Sequence, residues 1–334
     1  MSVGIDDQRD SREARKGASG VKDQDTSPVS SLETAPRADS VGAGCLQLFF
    51  LSLRRQFLSR QTLICFVLTA VACVIVVAWS LGKSPSAAKF IGMVLMPVYG
   101  LEQRGQSSSD ILTPTVFGTF LLPIYAVCYG ASSVGSEREE QTLIYLLTSP
   151  LPRPAIYLVK FCASATMTLA WTMGGLLVLC ALADPAIRQS MTWLPIAWLR
   201  VSELKPDEVT HWGLDALKLV WPAVLLASLC YTSLFHVLGA VFRRGTIISL
   251  AYAFFMELLL GNMPGIVKRI AVSFYYTCMI YDEGQDLSIK LPMGTDLFLP
   301  IDGPAAASIL TIVSLGLILL GTVVFTRREF RDLG

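Results

Sequence analysis

The feature that most limits what this chain can fold into is the run from 61 to 81, QTLICFVLTAVACVIVVAWSL, which carries no charge at all. A helix rises 1.5 Å per residue, so about 20 apolar residues cross the roughly 30 Å hydrocarbon core of a bilayer. Trp79 lies near the far end, at the level where an indole favours the headgroups. Five further segments read as spans: 111–134, 157–182, 216–241, 246–261 and 304–325. The second carries Pro114 and Pro123, which are expected to kink it, and the fifth is short. The fold class expected is therefore an all-α integral membrane protein with six transmembrane helices. In a chain of 334 residues, spans totalling roughly 120 residues leave room for loops and a tail but hardly for a separate catalytic domain.

Composition agrees. The chain is 53% hydrophobic and only 16% charged, against roughly a quarter charged in ordinary soluble domains. Its 27 basic and 26 acidic residues nearly cancel, so there is no basic field to hold a nucleic-acid backbone. With His211 and His236 the only histidines, the paired-His motifs that bind catalytic zinc cannot be assembled, and both HExxH and CxxC are absent, which argues against metal hydrolysis. Cys65, Cys73, Cys128, Cys162, Cys180 and Cys230 fall inside apolar runs and read as small hydrophobes rather than a disulfide framework.

Residues 1–44 are polar and read as a disordered cytoplasmic tail. From 45 to 60, Leu46, Phe49, Phe50, Leu53 and Phe57 recur at helical spacing among Gln47, Arg54, Arg55, Gln56 and Arg60. That pattern suits an amphipathic helix lying in the interface, the alternative being an extension of the first span into water. The mixed segment 82–110 and the stretches 183–215 and 262–303 fall outside. In the last of these, Asn262 to Tyr281 reads as a short re-entrant or interfacial helix. An even number of spans puts both termini on one side. Arg54, Arg55, Arg60, Arg138, Arg153, Lys160, Arg243, Arg244, Arg327, Arg328 and Arg331 in short segments make that side cytoplasmic.

The segment 135–160, GSEREEQTLIYLLTSPLPRPAIYLVK, lies between the second and third spans on that side. Gly135 can stop the incoming helix, and Ser136 with Glu139 has the spacing of a capping box that starts a new one. Glu137, Glu139 and Glu140 then occupy a first turn, where the helix dipole favours acids. Leu143, Leu146 and Leu147 share one face, and Pro150, Pro152 and Pro154 end the element. The expected product is a short amphipathic helix, acidic at one end, held at the membrane surface.

This segment resembles the permease subunits of type-2 ABC exporters. Those carry E-x-E-x-G-T-L-E-x-L-L-x-[TS]-P between their second and third spans, followed by a basic residue, an Ile and a Lys. Here the residues are EREEQTLIYLLTSP, then Arg153, Ile156 and Lys160, with Gln141 in place of the Gly and Ile144 in place of the second acid. The six-span layout with an interfacial N-terminal helix is similar over residues 46–334. The resemblance implies a coupling helix docked on a separate cytoplasmic ABC ATPase that carries ATP and Mg, with no cofactor and no catalytic residue in this chain. It implies Glu137, Glu139, Glu140, Thr142, Leu143, Leu146 and Leu147 as the coupling residues. It also implies a second permease copy or paralogue, and residence in a plasma membrane, bacterial inner membrane being the expected one.

Other signals weigh less. Gly82-Lys83-Ser84 looks like the end of a phosphate-binding loop, but the first glycine would have to stand at Val77 inside a span. Ser132 and Ser133 with His236 lack an evident oxyanion site, and small hydroxyls in spans commonly pack helices together. Glu257, in AYAFFMELLL, is the clearest ionisable group within a span and, with His236, marks a candidate intramembrane polar site. It suits substrate contact, a pairing with His236 or a backbone group, or a purely structural hydrogen bond. The runner-up function is a gradient-driven secondary transporter or channel with Glu257 as its ion-coupling group. No head group or substrate class is readable from the spans.

Overall fold

A computed structural model describes residues 38–82, 116–139, 152–184, 212–260, 266–286 and 301–327. Among these residues every regular element is helical. Four helices are long and apolar enough to cross a membrane, at Arg60–Val77, Arg153–Ala183, Ala216–Val241 and Gly303–Arg327.

The first helix, α1 (Ala38–Phe57), begins inside the stretch read above as tail. After Asp39 no charge occurs until Arg54, so composition does not oppose the helix there as it does nearer the N-terminus. A break at Leu58 and Ser59 separates it from α2 (Arg60–Gly82), which removes the alternative of one continuous extended span. Gln56 supplies the corner: its carbonyl accepts from the hydroxyls of Ser59 and Thr62, both at 2.7 Å. Leu46, Phe50, Leu51 and Phe57 are exposed, as are Arg54 and Arg55 in the last turn, which is the pairing an interfacial helix presents.

Along the described side chains of α2, residues 60–77, only Cys65, Ala72 and Val76 are buried, at i, i+7 and i+11, while Leu63, Ile64, Phe66, Val67, Val71 and Val74 face outward. Such a narrow inward stripe belongs to a helix at the rim. The next helical run, α3 (116–139), alternates π-helical Val116–Leu121 and Val127–Ala131 with α-helical Leu122–Ala126 and Ser132–Glu139. Pro123 stands at the start of the first α-helical piece, so the kink expected there takes the form of π turns on either side. Pro114 lies outside the described residues.

Helix α4 (Arg153–Ala183) follows an extended Pro152, and α5 (Trp212–Val241) contains Pro222. The sixth run, α6 (245–260), is α-helical over Gly245–Tyr252 and π-helical over Ala253–Leu260. A 3₁₀ turn, Val267–Ile270, leads into α7 (Val272–Asp286), and α8 (Gly303–Arg327) closes the fold. Packing centres on α5, which contacts α4, α8, α7, α6 and the middle of α3. Of the apolar window of α5, 67% is buried, against 17% for α2 and 22% for α8, so α5 is the central post and the other two form the outer face.

Acids tie the helix starts together. Asp184, just past α4, accepts from Gly213 N–H at the start of α5 at 3.2 Å. Glu257 of α6 accepts from Val272 and Ser273 N–H at the start of α7, and Asp282 of α7 accepts from Gly303 N–H at the start of α8. Each carboxylate meets otherwise orphaned N–H groups at the positive end of a helix dipole. Helices α5, α7 and α8 are thereby each positioned by the helix that precedes them.

Candidate coupling segment and its membrane anchor

The predicted coupling residues enter the structure through the end of α3. Glu137 and Glu139 belong to its last α-helical piece, whereas Glu140, Thr142, Leu143, Leu146 and Leu147 lie outside the described residues. The helix does not stop at Gly135, and no new helix starts at Ser136: Ser132–Glu139 is continuous. A mid-helix glycine costs only about 1 kcal/mol. Gly135 is buried, with α3 packed here on α5 and α6 and Thr246 Oγ1 at contact distance from a would-be Cβ. Packing of that kind outweighs a local stop signal.

The turns just before this segment are hydrogen-bonded to three other helices, α5, α4 and α2. His236 on α5 is fully buried, and its Nδ1 lies 3.2 Å from the Gly130 carbonyl. A carbonyl can only accept, so Nδ1 carries the proton and the ring is a donor on that side. Three residues further along α3, the Ser133 carbonyl accepts a long hydrogen bond from Lys160 Nζ on α4, at 3.5 Å. Lys160 is 1% exposed, and a buried ammonium must be met by oxygens in this way. On the opposite side of α3, Ser132 Oγ meets the Gln61 side-chain amide at 2.8 Å and the Cys128 carbonyl, and Tyr129 donates to Thr62 Oγ1 at 3.1 Å.

Close backbone approach makes these contacts possible. A Cβ on Gly239 of α5 would collide with the Ala131 carbonyl, and one on Gly130 would sit 3.1 Å from the Thr232 carbonyl. Helices α3 and α5 therefore touch main chain to main chain where the π turn ends. Tyr157 of α4 packs its ring 4.7 Å from the His236 imidazole and 5.6 Å from Phe325 of α8, and its phenol fills the space over Gly321. Phe161 covers the other edge of His236 at 5.6 Å. The result is one knot of Tyr157, Lys160, Phe161 and His236 around the carbonyls of Gly130 and Ser133.

Glu257 and His236 are not paired. The two oxygens of the buried Glu257 carboxyl accept from Val272 N–H at 3.0 Å and Ser273 N–H at 3.1 Å, while His236 bonds to α3. A carboxyl with both oxygens held by a helix start serves as a cap, the structural alternative for this residue. Nor does the imidazole meet a serine hydroxyl: Ser132 is turned to Gln61 and Cys128. Sequence reading passed over Tyr157, Gly239 and Gly321 altogether. For Lys160 a signal existed, since a lysine that opens a long apolar helix and also ends the motif is poorly explained as a topology anchor alone.

A family model described as "ABC-2 family transporter protein" matches residues 52–330. The chain belongs to the ABC-2 transporter family. No curated protein gives a significant match. As an ABC-2 permease it is an integral membrane transport subunit, of a family whose permeases normally pair with an ATPase subunit. The matched range takes in the last turns of α1, the segment 135–160 and every later helix, so the knot around Gly130 and Ser133 is part of the family domain.

Proposed function

We propose that this chain is the exporting permease half of an ABC transporter, working as a pair of permeases with two cytoplasmic ATPase subunits. On this reading α2, α3, α4, α5, α6 and α8 cross the membrane, with both termini in the cytoplasm. The segment 135–160 is the coupling element: Glu137, Glu139 and Glu140 face basic or polar groups of the ATPase, and Leu143, Leu146 and Leu147 fill an apolar groove. ATP closes the nucleotide subunits, the segment follows, and the central path reopens to the outside. Since ATP drives the cycle only by differential affinity for two conformations, the movement must reach the spans intact.

The observation that carries this reading is the knot under α3. The helix that enters the motif is gripped at Gly130 and Ser133 by His236 and Lys160, so a displacement of the segment is passed to α4 and α5 rather than lost in a flexible joint. Glu257 gives little support to gradient-driven transport, because its oxygens are engaged by backbone donors. The test is to purify the tagged protein in mild detergent from its own membranes and measure the accompanying ATPase. Wild type is expected to bring down an ATP-hydrolysing subunit in about equal amount. The combined change Glu139→Ala, Glu140→Ala, Leu143→Ala should lose it while unfolding at the wild-type temperature. An unchanged ATPase in that variant would overturn the coupling assignment.

A further inference from the structure

Two of the cysteines face each other across a register that three other contacts define. Between α2 and α3, Gln61 meets Ser132, Thr62 meets Tyr129, and Thr69 meets Tyr125. Residue numbers rise along one helix as they fall along the other, so the pair is antiparallel. Thr69 donates its one proton to the Cys65 carbonyl at 2.7 Å, so in the 2.6 Å contact it is the Tyr125 phenol that donates. Cys65 lies between Thr62 and Thr69, and Cys128 between Tyr125 and Tyr129, which sets the two thiols against each other. Packed helix axes run about 8–10 Å apart and Cα atoms sit about 2.3 Å from each axis, so facing Cα atoms are about 3.5–5.5 Å apart, overlapping the disulfide range.

We propose that Cys65 and Cys128 form a dithiol site that an apolar hydroperoxide converts to a disulfide joining α2 to α3. Both residues carry free thiols, Cys65 fully buried and Cys128 partly open, so Cys128 is the one a reagent reaches first. Its sulfur attacks the peroxide: an S–O bond forms, the O–O bond breaks, and the departing alkoxide takes a proton to leave as alcohol. Cys65 then attacks the sulfenic sulfur, forming S–S and breaking S–O, and water leaves. Two electrons pass from the two sulfurs to the peroxide, and the two thiol protons end on the alcohol and the water. The neighbouring hydroxyls of Thr62, Thr69, Tyr125 and Tyr129 are engaged with one another or with main chain, which leaves sulfur as the reactive element. Dithiol and disulfide are both neutral, so neither form places a charge in the apolar interior.

The experiment treats the full-length protein in its membranes with cumene hydroperoxide, alkylates remaining thiols, and maps peptides by mass spectrometry. The exposed Cys162 serves as the internal control for reagent delivery. The expected result is loss of two of the eight alkylatable thiols, with Cys65 and Cys128 in one linked peptide that dithiothreitol separates. Cys128→Ser and, separately, Cys65→Ser should each abolish that peptide. Oxidation of Cys162 with Cys65 and Cys128 still alkylatable would overturn the proposal. So would Cys128 stopping at a sulfinic acid, or linking to a cysteine of another molecule. None of these readouts depends on the ATPase partner.

Discussion

Replacing Glu257 with Gln isolates the cap at the start of α7. In the wild type each carboxyl oxygen takes one backbone N–H, from Val272 and from Ser273. Glutamine keeps one acceptor oxygen and turns an NH₂ toward the other N–H, so a buried donor is left facing a donor. An unsatisfied buried group costs about 1–3 kcal/mol, and loss of a carboxylate from the helix start adds about 0.3–1 kcal/mol. The total, about 1–4 kcal/mol, should lower the thermal midpoint by roughly 3–16 °C at about 2–4 °C per kcal/mol. The assay is thermal unfolding in detergent followed by intrinsic fluorescence, with Glu283→Gln, an exposed acid further along the capped helix α7, as control. An E257Q midpoint within about 1 °C of wild type would refute the cap. Loss of transport with unchanged stability would refute it too, and would restore Glu257 as an ion-coupling group.

Other outcomes follow from the same packing. Gly321→Ala places a methyl against the Tyr157 phenol and should destabilise by about 1–3 kcal/mol; Tyr157→Phe, which removes the hydroxyl, should recover part of that in thermal unfolding. Lys160→Met removes the cation held at the Ser133 carbonyl, and is expected to leave the ATPase bound while weakening the dependence of its hydrolysis rate on the permease, measured in reconstituted vesicles. Lys268, buried beside the Phe274 ring at 5.7 Å, has its ammonium held below the ordinary lysine value by desolvation. Between that lowered value and the ordinary one the unfolded chain binds more protons than the folded chain, so this lysine's contribution makes stability rise with pH there. Lys268→Met should flatten that rise in a pH series of unfolding midpoints.

Much of the helical frame is legible in the sequence, because a run of uncharged apolar residues can hardly be anything but a membrane helix. The first, third, fourth and last expected spans each coincide with a long helix, α2, α4, α5 and α8, whose ends differ from expectation by a few residues. The second and fifth show the limit. Their π turns depend on what packs against them, and neither Pro123 nor Glu257 announces one. Gly135 was misleading for the same reason: a local stop signal yields to burial. Asp184 and Asp282 look like loop acids in sequence, and only the return of the chain 21 or 29 residues later makes them caps. Gly239 and Gly321 are two among 25 glycines until the neighbouring helix is in place. The family motif, by contrast, is carried by order and spacing, and the family match over 52–330 bears it out at the level of the permease family.

The most direct test of the coupling account is contact itself. A photoreactive amino acid placed at Glu139, and separately at Leu143, in the otherwise native protein would be irradiated in membranes and the adducts identified by mass. The account predicts a cross-link to the nucleotide-binding subunit from both positions, stronger than from an exposed control such as Glu283. Adducts confined to lipid or to this chain itself, with the ATPase present, would contradict it.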